Sequence, residues 1–288
     1  LKKVYIANQS KQKLGGGFVF IDNLMRASNK NISFVSNCKS CSTYFIPSVT
    51  MVERAEVSEA KSAGKKIVLR IDNMPKDSRN RGTSFSRMKD YASWADVIVF
   101  QSLWAREYVG GHLDSIGIDM GKSVVIYNGV DTKFFNHSDK PEKRGETYLF
   151  TTFNTDENKR FPEAAYDFHV RHMSAVSESR PKPSLRIVGN FTKELVAYNF
   201  DFFSGEKISY KPPVESRKEM GDIYRSCQYI YFPAFADASP NTVGEAIACG
   251  CKVLLSNEVG GTREVIEQFS KKPISIEEMS VKYEETFR

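Results

Sequence analysis

The chain predicts an α/β protein built from two doubly wound parallel sheets, and three observations predict it. Short runs rich in Val, Ile, Phe and Tyr alternate with longer amphipathic stretches along the whole chain. A charged interval at 137–146, containing Pro141 and Gly145, breaks that rhythm midway, and the rhythm then starts again. Polar or glycine-rich segments follow the strand-like runs, at the end of a parallel sheet where ligands bind.

In the first half the expected strands are Lys3–Ala7, Ile32–Val35, Lys66–Arg70, Val97–Phe100 and Ser123–Tyr127. Helices are expected at Phe18–Ser28, Val52–Ser62, Ser86–Ala95 and Ala105–Gly111. In the second half the strands are Tyr148–Thr152, Leu185–Val188, Lys207–Tyr210, Tyr229–Phe232 and Lys252–Leu255. The helices there are Pro162–Ser177, Arg217–Arg225, Val243–Cys249 and Thr262–Gln268. Helical patterns of about ten to fifteen residues between strands point to parallel pairing, because parallel neighbours need a crossover of that length. The expected domains are 1–140 and 141–270, with 271–288 as a C-terminal helical segment.

With 288 residues, 41% hydrophobic and 26% charged, the chain can bury a sizeable core, and wholesale disorder is excluded. No run reaches the roughly 18–20 apolar residues of a membrane span. The opening Leu1–Asn8 is too short in its apolar part for a secretory signal and reads as a first strand. Five cysteines form no disulfide framework; Cys38-x-x-Cys41 lacks a second pair of ligands, and reduced thiols with a cytoplasmic setting are the default. The net charge of +6 suits an anionic substrate or peripheral contact with an anionic membrane. The cations are scattered, so a nucleic-acid partner is not expected. The histidines His112, His137, His169 and His172 suggest surface positions and no metal cluster.

The window Asp237–Cys251, D-A-S-P-N-T-V-G-E-A-I-A-C-G-C, carries the sharpest chemical signal. Pro240 breaks the chain, and the helix that follows starts with unsatisfied amides at Asn241, Thr242, Val243 and Gly244, a natural anion site. Glu245 can accept hydrogen bonds from two vicinal ribose hydroxyls. Asp237, shorter and on the far side of the break, suits a hexose hydroxyl. Phosphate and sugar recognition together point to an enzyme handling an activated sugar.

Other strand ends complete the candidate set. Gly15-Gly16-Gly17 lets backbone approach a ligand ahead of a helix N-terminus, although G-x-G-x-x-G is absent. Arg70-Ile71-Asp72-Asn73 ends a strand, and Asp72 there could orient or deprotonate an acceptor hydroxyl; Arg79 and Arg81 could meet an anion. Asn128-Gly129-Val130-Asp131 shapes a crossover near the domain boundary. Asn154, with Lys159 and Arg160, forms a cationic rim suited to a diphosphate, and Gly189 is a further close-approach point.

With Asn128–Asp131, Lys159 and Asp237–Cys251 in this order, the chain resembles a retaining glycosyltransferase of family 4, the glycogen-synthase-like group. The resemblance implies a GT-B fold, with two Rossmann-like doubly wound domains facing a central cleft and a C-terminal helix returning to the first, acceptor-side domain. Of the family's Glu-x7-Glu pair, Glu245 matches the second member and Asp237 replaces the first. Lys159 fits the donor-phosphate lysine, while Asn154 stands where arginine is expected, with Arg160 a substitute. Asp72 stands in the loop where the family often has a histidine. The resemblance further implies metal-free transfer of a hexose from a nucleotide diphosphate sugar, UDP- or GDP-hexose, to a hydroxyl of a glycan or lipid-linked acceptor with retained configuration. A sugar-nucleotide epimerase, a phosphorylase and a non-catalytic nucleotide-sugar-binding protein are the alternatives.

Overall fold

The structure is a computed structural model, and it describes residues 1–8, 15–28, 31–72, 82–137, 145–153, 157–192, 196, 207–255 and 260–288. The chain divides into two compact units, Leu1–Gly129 with Ile274–Arg288, and Val130–Pro273.

The first unit holds strands β1 (Lys2–Ile6), β2 (Ile32–Phe34), β3 (Thr43–Ile46), β4 (Lys66–Ile71), β5 (Val97–Phe100) and β6 (Ser123–Val125). They form one sheet in the order β2-β1-β3-β4-β5-β6, with every pairing parallel. Its helices are α1 (Gly16–Ala27), α2 (Arg54–Ser62), α3 (Gly82–Trp94) and α4 (Leu103–Asp114). Strand β3 was not among the expected strands. All four of its residues are buried, so the half-buried alternation that marks a strand is missing from them. Helix α4 begins earlier than expected because the Ser102 hydroxyl accepts from the Ala105 N–H and caps it.

The last helix, numbered α9 below (Ile276–Phe287), packs on this first sheet. Tyr283 and Phe287 lie against Phe45 with ring centroids 5.6 and 5.2 Å apart, and Tyr283 also meets Phe20 at 5.3 Å. Aromatic pairs of this geometry contribute about 0.5–1.5 kcal/mol beyond their buried area. Lys2 and Lys66 donate to the Arg288 and Thr286 carbonyls at 3.0 and 2.9 Å, which satisfies the helix C-terminus.

The second unit is a five-stranded parallel sheet ordered β11-β10-β7-β8-β9. Its strands are β7 (Thr147–Thr152), β8 (Ser184–Gly189), β9 (Lys207–Lys211), β10 (Tyr229–Tyr231) and β11 (Lys252–Leu254). Its helices are α5 (Phe161–Ser177), α6 (Arg217–Ser226), α7 (Asn241–Ala248) and α8 (Thr262–Lys271). Tyr148, Phe150, Phe161, Phe168, Leu185, Ile187 and Tyr231 form the core under α5. His172 joins that buried face at 3% exposure, contrary to the surface position expected for it, because it falls one helical turn after Phe168. The chain leaves β7 toward β8 and β9, then returns on the other side as β10 and β11. The reversal lies between β7 and β10, and the crevice at their carboxyl ends is where such sheets take ligands.

Among the described residues, no helix is long and apolar enough to cross a membrane. The same residues contain no group of three His, Cys, Asp or Glu side chains placed to hold a metal ion.

Candidate active site

The loops after β7 and β10 meet at the reversal point of the second sheet. The Phe235 N–H donates to the Asn158 carbonyl at 2.9 Å and ties the two loops together. Across that tie, Lys159 Nζ stands 3.4 Å from Asp237 Oδ2, with both side chains partly open at 22% and 27% exposure. The Lys159 ammonium also lies 5.7 Å from the centroid of the Phe232 ring. The other carboxylate oxygen of Asp237 accepts from the Ser239 N–H at 3.2 Å.

Local backbone geometry makes this corner. Ala236 sits in the left-handed region at φ 51°. Gly260, at φ +122°, has backbone so close that a Cβ there would stand 3.0 Å from the Asp237 N and O atoms. The Gly261 N–H donates to the Asp237 carbonyl at 2.8 Å. The loop bearing Asp237 is therefore pinned at the residue itself. On the next strand, Gly189 has φ +142°, and a Cβ there would lie 1.8 Å from the Thr152 carbonyl oxygen, so only glycine fits.

Helix α7 follows, with Pro240 as its cap and no side-chain cap bond. The Val243 and Gly244 N–H groups turn back to the Pro240 carbonyl at 3.2 and 3.4 Å, so these two amides are engaged in the first helical turn. Val243 buries its side chain completely, while Asn241 and Thr242 are half-buried at the helix start. Glu245 lies one turn in and is half-buried. The Tyr224 hydroxyl donates to its Oε2 at 3.2 Å. Loss of water around the carboxyl pushes its pKa up to about 7; the Tyr224 bond and the Arg217 charge oppose that rise, and Asp131 adds to it. Arg217 in turn pairs with the buried Asp131 at 3.4 Å.

Arg160 is turned elsewhere. It occupies the left-handed region at the start of α5 and pairs with Glu163 on its own helix. Asn154 lies outside the described residues, as do Asn73, Arg79 and Arg81.

In the first unit, Gly17 and Asp72 come together. A Cβ on Gly17 would lie 3.9 Å from Asp72 Oδ2 and 3.1 Å from Met51 Sδ. Gly16 opens α1 with nothing close to it. Beneath Asp72 is a buried polar network that sequence reasoning missed. Arg70, only 2% exposed, donates to the Pro47 carbonyl at 3.0 Å, to Gln101 Oε1 at 2.6 Å and to Asn128 Oδ1 at 3.1 Å. Its Nη1 is 3.6 Å from Asp72 Oδ2, and its guanidinium lies 3.9 Å over the Phe20 ring. Gln101 directly follows β5, and a polar residue at that carboxyl end was the available signal. Tyr224 carried no such signal, since its partner is twenty-one residues away.

Comparison with known proteins adds three findings. The family model for glycosyl transferases group 1 matches residues 158–281. That match corrects the family-4 assignment expected from the motifs, whose pattern this chain leaves at Asp237 and Asn154. No curated protein matches the sequence. Among solved structures, HepE of Anabaena, with UDP and glucose bound, aligns over 100% of this chain and 96% of its own at 10% identity and TM-score 0.67. Sucrose-phosphate synthase of Thermosynechococcus elongatus aligns over 100% and 94% at 10% identity and TM-score 0.64. AviGT4, a glycosyltransferase of avilamycin A biosynthesis, aligns over 100% and 97% at 12% identity and TM-score 0.65. At these identities the likeness defines the fold, and the fold is GT-B, two Rossmann-like domains.

Proposed function

We propose that the protein is a glycosyltransferase that moves a hexose from a nucleotide diphosphate sugar to a hydroxyl of a glycan or lipid-linked acceptor, with retained configuration. The observation that carries this reading is the pairing of Lys159 with Asp237 at 3.4 Å where the loops after β7 and β10 meet, with Gly189 at the end of β8 and Glu245 in the helix that follows the Asp237 loop. The related fold of HepE, seen with UDP-glucose, supports a nucleotide-sugar donor.

In this reading Glu245 accepts from the ribose hydroxyls. Lys159 and the start of α7 at Asn241 and Thr242 balance the diphosphate, whose charge grows as it departs. Gly189 lets the ligand approach backbone, and Asp237 serves the hexose. The bond from the sugar anomeric carbon to the diphosphate oxygen breaks, and a bond to the acceptor oxygen forms on the same face. The acceptor proton passes to the departing phosphate. Asp72, beside Gly17, orients the acceptor hydroxyl. A cytoplasmic setting with peripheral membrane contact fits a lipid-linked acceptor.

The test is titration of the purified protein with UDP-, GDP-, ADP- and dTDP-hexoses, followed by slow hydrolysis, with Glu245→Ala in parallel. One preferred donor, bound more weakly by the variant and cleaved to its nucleoside diphosphate, is the expected result. Equal binding by Glu245→Ala would remove the ribose assignment.

A further inference from the structure

We propose that Asp237 is an internal counter-ion for Lys159, displaced by the donor's diphosphate, so that the same carboxylate first neutralises the lysine and is then released to the hexose. The inference rests on the nucleotide-sugar reading above and concerns how that site is occupied before the donor arrives.

Three observations carry it. The pair is loose, since 3.4 Å is well beyond the roughly 2.7–2.9 Å of a strong charge-assisted bond. Both partners keep partial contact with water, which screens their attraction, so the pair adds little stability and breaks readily. Asp237, by contrast, is tied to its loop. Its backbone is locked by Gly260 and Gly261, and its second oxygen is held by the Ser239 N–H. Lys159 is the mobile partner, a point charge on a flexible stem, poised over Phe232. An aspartate at this corner therefore meets the lysine across the loop tie at Phe235 and Asn158.

The consequence is an asymmetry between a nucleoside diphosphate and its sugar conjugate. A diphosphate that takes Lys159 leaves the Asp237 carboxylate beside its own negative charge, with only the Ser239 N–H still bonded to it. A nucleotide sugar supplies a hydroxyl for that carboxylate. The site thereby favours the intact donor over the product diphosphate, which assists product release.

Calorimetric titration of UDP, GDP and ADP, and of the glucose conjugate of whichever binds, against wild type, Asp237→Asn and Lys159→Met tests this. Asp237→Asn is expected to bind the nucleoside diphosphate about fivefold more tightly, an effect of the size a loose ion pair allows. The preference for the glucose conjugate over the diphosphate should shrink with it. In a Lys159→Met background the gain from Asp237→Asn should fall below about twofold. Unchanged or weaker diphosphate binding by Asp237→Asn, with weaker binding of the glucose conjugate, overturns the counter-ion role and leaves Asp237 a sugar ligand only. A gain that persists without Lys159 overturns it as well. Failure of every nucleotide to bind the wild type overturns the nucleotide-sugar reading itself. Thermal melts of each variant separate a misfolded protein from a changed site, and Asp237→Ala provides a second neutral replacement if the asparagine variant does not fold.

Discussion

The Tyr224 hydroxyl donates to Glu245 Oε2 at 3.2 Å and joins α6 to α7 beneath the candidate ribose site. This bond favours the charged carboxylate in an environment that otherwise opposes it. Removing it in Tyr224→Phe is expected to push the Glu245 carboxyl further up. Nucleotide binding at neutral pH should weaken about three- to tenfold, the range of one ordinary hydrogen bond. Titration calorimetry at pH 7 and pH 8.5 checks this; equal loss at both values would point to a packing defect instead.

A carboxyl brought to about 7 by burial makes nucleotide affinity pH-dependent in a range where ordinary carboxylates are silent. If the carboxylate form takes the ribose hydroxyls, affinity should rise about ninefold between pH 6 and pH 8, from a tenth ionised to nine-tenths. Stability runs the opposite way. Because the folded-state value exceeds the unfolded one, the folded protein binds more protons between them. Glu245 therefore lowers stability progressively as pH rises from about 4.5 to about 7. Glu245→Gln should remove both dependences, and its denaturation midpoint should exceed wild type at pH 8 more than at pH 5.

Gly189 admits no side chain. A methyl group there would meet the Thr152 carbonyl at 1.8 Å in a backbone conformation that side chains avoid. Gly189→Ala should cost at least about 2 kcal/mol and lower the thermal midpoint by several degrees. Differential scanning fluorimetry measures it, and a melting curve that overlays wild type would show that the strand end can relax.

Arg70 is the buried hub of the first unit. Arg70→Met removes the arginine donor from the Pro47 carbonyl, Gln101 and Asn128, leaving Gln101 Oε1 to the Asn128 amide at 2.8 Å, and is expected to cost about 3–5 kcal/mol. The expected outcome is a lower unfolding midpoint for the first unit with nucleotide binding retained. Intrinsic tryptophan fluorescence follows that unit, because Trp94 and Trp104 both belong to it. Loss of nucleotide binding together with unfolding would show that the two units do not fold independently.

Legibility in the sequence followed the range of the interactions. Glu245 stood out because the Pro240 break marks the start of its helix, Gly189 because it ends β8, and Lys159 because it lies in the loop after β7. Strand β3 was hidden because four consecutive buried residues carry no period. His172 was misplaced because charge type suggested the surface while its helical register placed it inside. The family-4 assignment rested on Asn128–Asp131, Lys159 and the window Asp237–Cys251, from whose pattern the chain departs at Asp237 and Asn154, and the matching family model is group 1.

The sequence by itself determined the α/β class, the alternation of strands and helices, and the residues at the strand ends, because these depend on local period and backbone chemistry. Only the tertiary structure decided the pairings among them. That Lys159 meets Asp237, that Arg160 turns to Glu163, that Tyr224 steadies Glu245 and that Arg70 gathers Gln101 and Asn128 depends on loops brought together by sheet order. Charges separated by tens of residues leave no periodic trace, and their energies exist only once folding has removed the water between them.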